Sequence, residues 1–310
     1  MTEHIHFLLL PEFSVMGFVS ALEPLRVANR FQHDLYRWHI LSMDGGPVTA
    51  SNGMSINVDD AYTCIDDATT VFVIAGFNPL NYYNAALSNW LRLLAHQHVT
   101  LGAIDTGCFI LAEAKVLKAQ KITLHWEAVA AFQERYPSLQ VSQELFEITE
   151  QRITCAGGTA GIDMMLALIA QKHGHELTSK VSEQFVLSRI RDQSDHQRMQ
   201  IAVRYGIHNK KTMQVISMME NHLEDPLSTD QLAAAISVTR RQLERLFATH
   251  VKTTPVHFYL NLRLDRARQL LRQTEMNILA VGVACGFESP SYFSRAYRTR
   301  FGFSPKQDRV

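Results

Sequence analysis

Arginine side chains are concentrated on one face of two short segments near the carboxyl end of the chain. Each segment places apolar residues three and four positions apart, as on the buried face of a helix, and leaves the opposite face polar. The residues of these two polar faces are Arg240, Arg241, Glu244 and Arg245 in the first segment, and Ser291, Ser294, Arg295 and Arg298 in the second. Because a guanidinium fork matches a guanine edge or a phosphate, both segments are candidate DNA recognition helices.

The residues before each segment predict a helix-turn-helix motif. A small residue (Ala233 or Gly282) allows two helices to approach, a short turn follows, and a hydroxyl N-cap (Thr239 or Ser289) begins the second helix. An ordinary solvated helix face is the alternative, and for a single copy it would be the better interpretation. Two copies with an arginine at the matching helical position favour DNA recognition.

A long helix is predicted between the two copies. Thr254 and Pro255 form an N-cap followed by proline at the first helical position, and Leu260, Leu264 and Leu271 recur at helical spacing. At ~1.5 Å per residue this helix spans ~25 Å, which would hold two recognition helices about one turn of DNA apart. We therefore expect one monomer to bind two successive major grooves.

The two parts of the chain differ in charge although the whole chain is neutral. Residues 200–310 contain sixteen Lys and Arg against nine Asp and Glu, a balance of +7, and the remainder has fourteen against twenty-one, a balance of −7. A basic module tethered to an acidic one is typical of a phosphate-binding domain whose partner domain is kept off the DNA. Random drift in composition is the alternative explanation.

The first 190 residues alternate short apolar strands with helices. Strands are predicted at 5–10, 38–43, 71–75, 99–104 and 153–156, and helices at 17–30, 81–97, 107–117, 126–135 and 159–173. This alternation predicts an α/β doubly wound parallel sheet, which binds ligands at the carboxyl ends of its strands. The predicted organisation is a ligand-sensing and dimerisation domain over 1–190, a linker over 191–208, and an all-α DNA-binding domain over 209–310.

Asp105 lies where a predicted strand turns directly into a helix, two residues before Gly107. Its carboxylate has two compatible interpretations, a helix N-cap or a partner for a cationic ligand. Other residues near strand ends could complete a cation site by hydrogen bonding or cation–π attraction. They are Phe13, Phe77, Asn78, His125 and Trp126.

Several classes of protein are excluded by what the sequence contains. The cysteines (Cys64, Cys108, Cys155 and Cys285) have neither zinc nor disulfide spacing, and the paired histidines are typical of strand ends and surfaces. Neither a secretory leader nor an apolar run of membrane-spanning length is present. We therefore expect a cytoplasmic protein with no metal site, no cofactor and no membrane partner.

The region from Thr212 to Arg309 resembles the DNA-binding domain of the AraC/XylS family of bacterial transcription regulators. The motifs that carry the resemblance are Arg241-Gln-Leu-Glu-Arg245-Leu-Phe, Gly286-Phe-Glu-Ser289, Tyr292-Phe-Ser-Arg295 and Gly302-Phe-Ser-Pro305. The chain departs from the family at Gly282, where alanine is usual, and at Asp308, where tyrosine is usual. The resemblance implies that promoter DNA and RNA polymerase are partners.

Residues 4–175 resemble the class I glutamine amidotransferase-like superfamily, in the form that is fused to AraC-type regulators. The motifs are Glu23-Pro-Leu-Arg-Val-Ala-Asn29, Ala50-Ser-Asn-Gly53, Ile104-Asp-Thr-Gly107 and Thr123-Leu-His-Trp-Glu127. The resemblance implies a flavodoxin-like sensor domain. Related enzymes have a cysteine where this chain has Asp105, so we expect no catalytic residue and no enzymatic activity.

Within this group the chain is similar to regulators of glycine betaine, carnitine or arginine catabolism. The resemblance implies a homodimeric activator that responds to a small-molecule effector, with a quaternary amine or a basic amino acid as the expected class. Two alternatives remain open at this point. One is an amidase or hydrolase that uses Cys108 with His125 and carries a DNA-binding tail, and the other is a regulator whose α/β domain serves only for dimerisation.

Overall fold

The computed structural model describes residues 2–63, 68–118, 120–274 and 276–309, so Cys64 lies outside the described residues. The chain divides into two compact units, an amino-terminal unit over Met1–Gln197 and a carboxyl-terminal unit over Arg198–Val310. The segment predicted as a linker, 191–208, spans this division. Residues 191–197 contact the amino-terminal unit, and a short helix forms within the rest of the segment.

The amino-terminal unit is an α/β fold built on one sheet. Its strands are β1 (Glu3–Leu9), β2 (Tyr36–Ser42), β3 (Val48–Thr49), β4 (Ser55–Ile56), β5 (Asp60–Ala61), β6 (Thr70–Ala75), β7 (Thr100–Asp105), β8 (Phe146–Ile148) and β9 (Arg152–Cys155). Its α-helices are α1 (Val15–Phe31), α2 (Ala85–His96), α3 (Cys108–Glu113), α4 (Val129–Arg135), α5 (Ala160–His173) and α6 (His175–Gln184), with a 3-10 helix at Pro79–Tyr82.

The sheet order confirms the predicted doubly wound, flavodoxin-like fold. In the described residues seven strands are ordered β5-β2-β1-β6-β7-β9-β8, and every pair except β8–β9 is parallel. All residues of β6 are buried, as expected for a central strand covered on both faces. The antiparallel edge strand β8 and the β3–β4 hairpin were not predicted, because strands of two or three residues carry no periodic signal.

Aromatic packing fixes how the central strands meet. Phe7 of β1 stacks on Phe72 of β6 with ring centroids 5.7 Å apart, and Phe18 of α1 meets Phe7 edge to face at 5.6 Å. Gly102 of β7 leaves the space that the Phe72 ring fills, since a Cβ at position 102 would lie 2.2 Å from that ring. The core therefore requires a glycine in the middle of a strand.

The helix predicted at 107–117 is shorter in the structure. It covers only Cys108–Glu113, and Lys115, just beyond its C-cap Ala114, adopts a left-handed backbone with φ of 58°. A left-handed residue ends an α-helix. The apolar run Val116–Leu117 therefore continues outside the helix, which explains why an apolar pattern alone overestimated its length.

The carboxyl-terminal unit is all-α and contains both predicted helix-turn-helix motifs. Its helices are α7 (Ile201–Tyr205), α8 (Lys210–Asn221), α9 (Thr229–Ala235), α10 (Arg240–His250), α11 (Pro255–Gln273), α12 (Ile278–Ala284), α13 (Pro290–Phe301) and α14 (Pro305–Asp308). Helices α9–α10 and α12–α13 are the two motifs. The predicted N-caps Thr239, Thr254 and Ser289 each accept a backbone hydrogen bond from the third residue of the helix that follows.

The 19-residue helix α11 connects the motifs over ~28 Å. Arg263 of this helix donates hydrogen bonds to the carbonyls of Cys285 and Gly286, and its guanidinium lies 4.2 Å from the centre of the Phe287 ring. The apolar spacing of α11 predicts that Arg263 lies outside the apolar face, but in the structure this arginine binds the turn of the second motif. These contacts of the Arg263 guanidinium therefore hold α11 against the motif formed by α12 and α13.

Asp308 anchors the end of the chain on α11 and α13. Its buried carboxylate accepts hydrogen bonds from Arg268 at 2.8 Å, Arg272 at 2.6 Å and the Tyr297 hydroxyl at 2.5 Å. Burial by itself would raise the pKa of Asp308, but the bonds from Tyr297 and the two arginines outweigh it and hold the pKa below its ordinary value. Where the related family has tyrosine, this chain therefore has a charged anchor.

We expect Asp308→Asn to lower the free energy of unfolding by about 1–3 kcal/mol, because the buried cluster loses its only anion. The matched control is Asp265→Asn, which breaks the half-exposed ion pair with Arg300 and should cost about 0–1 kcal/mol. Urea unfolding followed by circular dichroism measures both. Equal losses in the two variants would contradict an anchoring role for Asp308.

Candidate nucleic-acid interface and ligand site

The two predicted recognition helices are α10 and α13, and each presents the predicted polar face to solvent. Arg240, Arg241, Glu244, Arg245, Ser291, Arg295 and Arg298 are exposed, and Ser294 is half-buried. On the opposite faces Leu243, Phe247, Phe293 and Tyr297 are fully buried. The structure thus holds the apolar face of each helix inside and leaves the arginines accessible to a phosphate backbone or a base edge.

Two details of this surface differ from the sequence pattern. The spacing of the apolar residues in α13 predicts that Tyr292 lies on the buried face, but 46% of it is exposed, and it borders a groove of about 570 Å³ between α11 and α13. The groove is also lined by Arg295. In α10 the guanidinium of Arg240 pairs with Glu244 at 3.1 Å, so the two polar residues partner each other before any ligand binds.

Left-handed backbone residues follow four neighbouring strands of the parallel sheet at their carboxyl ends. Glu12 follows β1 with φ of 62°, Asn78 follows β6 with φ of 47°, and Asp105 ends β7 with φ of 62°. The glycines Gly157 and Gly158 take the same conformation after β9. A non-glycine residue in this region costs about 1–3 kcal/mol, and such residues cluster at ligand sites.

Two glycines determine where Asp105 lies. A Cβ on Gly107 would lie 2.2 Å from the carbonyl oxygen of Val73, so the turn after β7 can approach β6 only without a side chain. A Cβ on Gly157 would lie 2.9 Å from the Cβ of Asp105 and 3.0 Å from its Oδ2. The carboxylate of Asp105 is therefore held against the loop that follows β9.

The helix-cap interpretation of Asp105 is wrong. Helix α3 begins at Cys108, its N-cap is Gly107, and no side chain caps it. Burial, and then the neighbouring carboxylate of Glu127, raise the pKa of Asp105 to about 7. A strained, half-buried carboxyl group that caps no helix and has a raised pKa is a candidate for ligand binding.

The segment after residue 122 brings a second group of polar side chains to Asp105. The backbone amide of His125 donates to the carbonyl of Asp105 at 3.3 Å, and His125, Trp126 and Glu127 are half-buried. Burial lowers the pKa of His125, while Glu127 opposes this effect. The sequence patterns did not single out Glu127, although it ends the motif that contains His125 and Trp126.

The other predicted ligand residues differ in accessibility. Phe77 is 61% exposed and Asn78 is also exposed, and both follow β6, whose last residue, Ala75, pairs with Asp105. Phe13 is completely buried and packs edge to face on Phe18, so its ring has no exposed face for a ligand. The geometry therefore favours Phe77 and Asn78 over Phe13.

Cys108 does not form the dyad with His125 that an amidase would need. Its Sγ is fully buried and donates to the carbonyl of Thr123 at 3.2 Å. Burial raises the pKa of the Cys108 thiol far above its ordinary value, so the thiolate needed for nucleophilic attack is disfavoured. Cys155 and Cys285 are also buried and free.

A parallel α/β unit with a carboxylate at the turn between β7 and α3, which we call the elbow, is joined to paired helix-turn-helix motifs, and this combination defines a DNA-binding regulator. The sequence matches the DJ-1/PfpI family over residues 3–171 and a helix-turn-helix domain over residues 232–309. The chain belongs to the AraC-type HTH transcriptional regulators that carry a DJ-1/PfpI, amidotransferase-like domain. This confirms the resemblance seen in the sequence.

Relatives named as HTH-type transcriptional regulators align over nearly the whole chain. The HTH-type transcriptional regulator CdhR of Pseudomonas aeruginosa is 63% identical over 310 residues, which cover all of this chain and 92% of that protein. The HTH-type transcriptional regulator GbdR of the same species is 42% identical over 308 residues, 99% of this chain and 84% of that protein. The crystal structure of an AraC family regulator from Pseudomonas putida, 24% identical, superposes with a TM-score of 0.56 over 59% of this chain and 99% of its own.

We expect Asp105→Asn to become more stable than the native protein as the pH rises from about 4 to about 7. The pKa of Asp105 is raised in the folded protein. The contribution of this residue to the stability of the native protein is therefore greatest below the unfolded pKa of 3.8 and is lost as the pH rises to about 7. Asparagine tolerates a left-handed backbone and carries no charge. Urea unfolding of both proteins at several pH values measures the difference in their free energies of unfolding. The histidines are the same in both proteins, so their titration cancels in this difference. A difference that stays constant with pH would contradict a raised pKa at Asp105.

Proposed function

We propose that the amino-terminal unit binds a small cationic metabolite at Asp105 and that this binding changes how α10 and α13 engage promoter DNA. The observation that carries the proposal is the strained, half-buried carboxyl group of Asp105, whose pKa is raised. It stands at the carboxyl edge of the parallel sheet, where such folds bind their ligands. A positive charge beside it would favour its ionised form and repay the cost of burying the carboxylate.

The neighbours of Asp105 support a cationic ligand. Glu127 adds a second carboxylate close enough to raise the pKa of Asp105, so the unliganded site disfavours two negative charges. Trp126 and Phe77 could contribute an aromatic face, and Asn78 a hydrogen bond. A quaternary amine or the side chain of a basic amino acid has the matching charge and size.

The proposal includes no enzymatic step. Cys108 is buried and its thiol donates to the carbonyl of Thr123, and the carboxylate of Asp105 occupies the elbow. We further propose that the protein acts as a homodimeric activator, with RNA polymerase as a partner at the promoter. Each chain carries two recognition helices, so a dimer would present four to one promoter.

We expect Arg245→Ala and Arg295→Ala each to weaken binding to the native promoter by about 1–3 kcal/mol, if each arginine contacts a guanine through two hydrogen bonds. The measurement is fluorescence anisotropy on a promoter fragment located by chromatin immunoprecipitation and on a scrambled duplex, at fixed salt. Footprinting of the native protein should show two protected regions one helical turn apart per monomer.

The control for these variants is Lys306→Ala, which removes the same charge from the exposed surface of α14, outside both recognition helices. Any effect of this change should be similar on the promoter and on the scrambled duplex, because a phosphate contact carries no sequence information. If Arg245→Ala or Arg295→Ala also left the ratio of the two affinities unchanged, that residue would not contact bases.

We expect Asp105→Asn to weaken effector binding by at least about 1 kcal/mol, because the charge-assisted contact is lost while size and backbone preference are kept. Glycine betaine, carnitine and arginine are the first compounds to test, by thermal shift and then by calorimetry. Cys108→Ser is the matched control and should keep both the affinity and the transcriptional response. Equal affinity in Asp105→Asn would remove Asp105 from the site.

The same measurements separate the two alternative functions. A protein whose α/β unit serves only for dimerisation would show no stabilisation by any cationic metabolite. An amidase would hydrolyse small amides, and Cys108→Ser would abolish that turnover. Either outcome would replace the proposed sensor function.

A further inference from the structure

Residues 191–197, which we call the strap, lie along the surface of the amino-terminal unit and turn at 192–195, where the amide of Asp195 donates to the carbonyl of Asp192 at 3.0 Å. The side chains at odd positions of the strap are half-buried and those at even positions are exposed. His196 forms an antiparallel bridge with Glu144, and the amide of Leu145 donates to the carbonyl of Gln193 at 3.2 Å. The strap is therefore held on the unit by its backbone as well as its side chains.

One end of the strap is attached beside the loop that follows β9. The backbone amide of Arg191 donates to Asp163 at 2.8 Å, and its guanidinium donates to the same carboxylate at 2.6 Å and to the Thr159 hydroxyl at 2.8 Å. The carboxylate of Asp163 is almost completely buried. Thr159 belongs to the loop in which Gly157 contacts Asp105, so Arg191 anchors the strap to one wall of the candidate site.

The other end is attached to the opposite wall. The side-chain amide nitrogen of Gln197 lies 2.9 Å from the Thr123 hydroxyl, 3.0 Å from the Leu124 carbonyl and 2.9 Å from the Glu144 carbonyl. Leu124 directly precedes His125, whose amide binds the carbonyl of Asp105. Gln197 is thus two hydrogen bonds and one peptide unit away from the elbow.

We infer that the strap couples the Asp105 site to the DNA-binding unit, with Gln197 as the positioning residue. The inference rests on the proposed function of that site. The strap joins both walls of the site, and its last residue, Gln197, is followed directly by Arg198, the first residue of the carboxyl-terminal unit. A ligand that moves Thr159 or the 123–127 segment must therefore change the hydrogen bonds that hold the end of the strap.

The bonding of Gln197 suits a position that can shift. Its amide group has two hydrogens for three acceptors. Its Oε1 is buried and accepts no hydrogen bond from the residues that the structure describes. A rotation that gives Oε1 a donor would release some of these acceptors, which would give the amide a second arrangement beside the first. A ligand that favours one of them shifts the population, and DNA binding must shift the ligand affinity by the same factor.

The first test needs no effector. In hydrogen–deuterium exchange of the full chain, Gln197→Ala should speed exchange of the 122–126 amides at least fivefold, with the amides of β6 unchanged. Arg189→Ala is the matched control, since it breaks an exposed ion pair with Asp195 that reaches neither wall of the site. Unchanged exchange at 122–126 in Gln197→Ala, or equal exchange in the control, would overturn the inference.

The second test measures coupling, with glycine betaine, carnitine and arginine as the probes. A probe that changes the promoter affinity of the native protein should do so at least threefold less in Gln197→Ala, while calorimetric affinity for that probe in the absence of DNA stays within twofold. Gln197→Asn, which keeps the amide but shortens its reach, should be intermediate. An undiminished change in promoter affinity would overturn the coupling role.

The two proposals fail in different ways. If none of the three probes binds the native protein, the cationic effector is wrong, and the exchange experiment still decides whether Gln197 holds the 122–126 segment. If a probe binds at Asp105 but its effect on DNA binding is the same with and without Gln197, the proposed cation site is supported and the coupling role of the strap is wrong.

Discussion

The parallel pairing of the central strands is the constraint on which the amino-terminal unit depends. Parallel strands bring the carboxyl ends of β1, β6, β7 and β9 to one edge, where the chain turns into the next helix within two to five residues. Gly76 and Gly107 allow these turns to press against neighbouring backbone, since a Cβ on either would lie about 2 Å from a carbonyl oxygen. Asp105 is placed by this crowding, and its left-handed backbone is a consequence of it.

Such an arrangement carries a cost that the rest of the unit must offset. Glu12, Asn78 and Asp105 each adopt a conformation that costs about 1–3 kcal/mol, and Asp105 adds the burial of a carboxyl group. The stacked rings of Phe7 and Phe72 belong to the core directly beneath this edge. A glycine at position 105 would relieve the strain, so the carboxylate there is a candidate for a functional role.

The carboxyl-terminal unit obtains its geometry in another way. Its helices begin at residues that satisfy their own amides, as the capping boxes of Ser228 and Thr239 do, and the turns are closed locally. The two motifs are then fixed to α11 by charged side chains, Arg263 at the second turn and Asp308 at the end of the chain. The continuous helix α11 connects the two recognition helices, as the expected spacing of one DNA turn requires.

The sequence by itself determined the periodic and local features. Helix faces, N-caps and buried strands follow from nearest neighbours along the chain, which is why the fold class, α10, α13 and their exposed arginines were predicted. Tertiary structure alone decided what depends on contacts between distant residues. It showed that Asp105 caps no helix, that Glu127 is its neighbour and that Phe13 is buried. It also showed the strap to be a part of the sensor fold, because the partners of Gln197 lie more than fifty residues away.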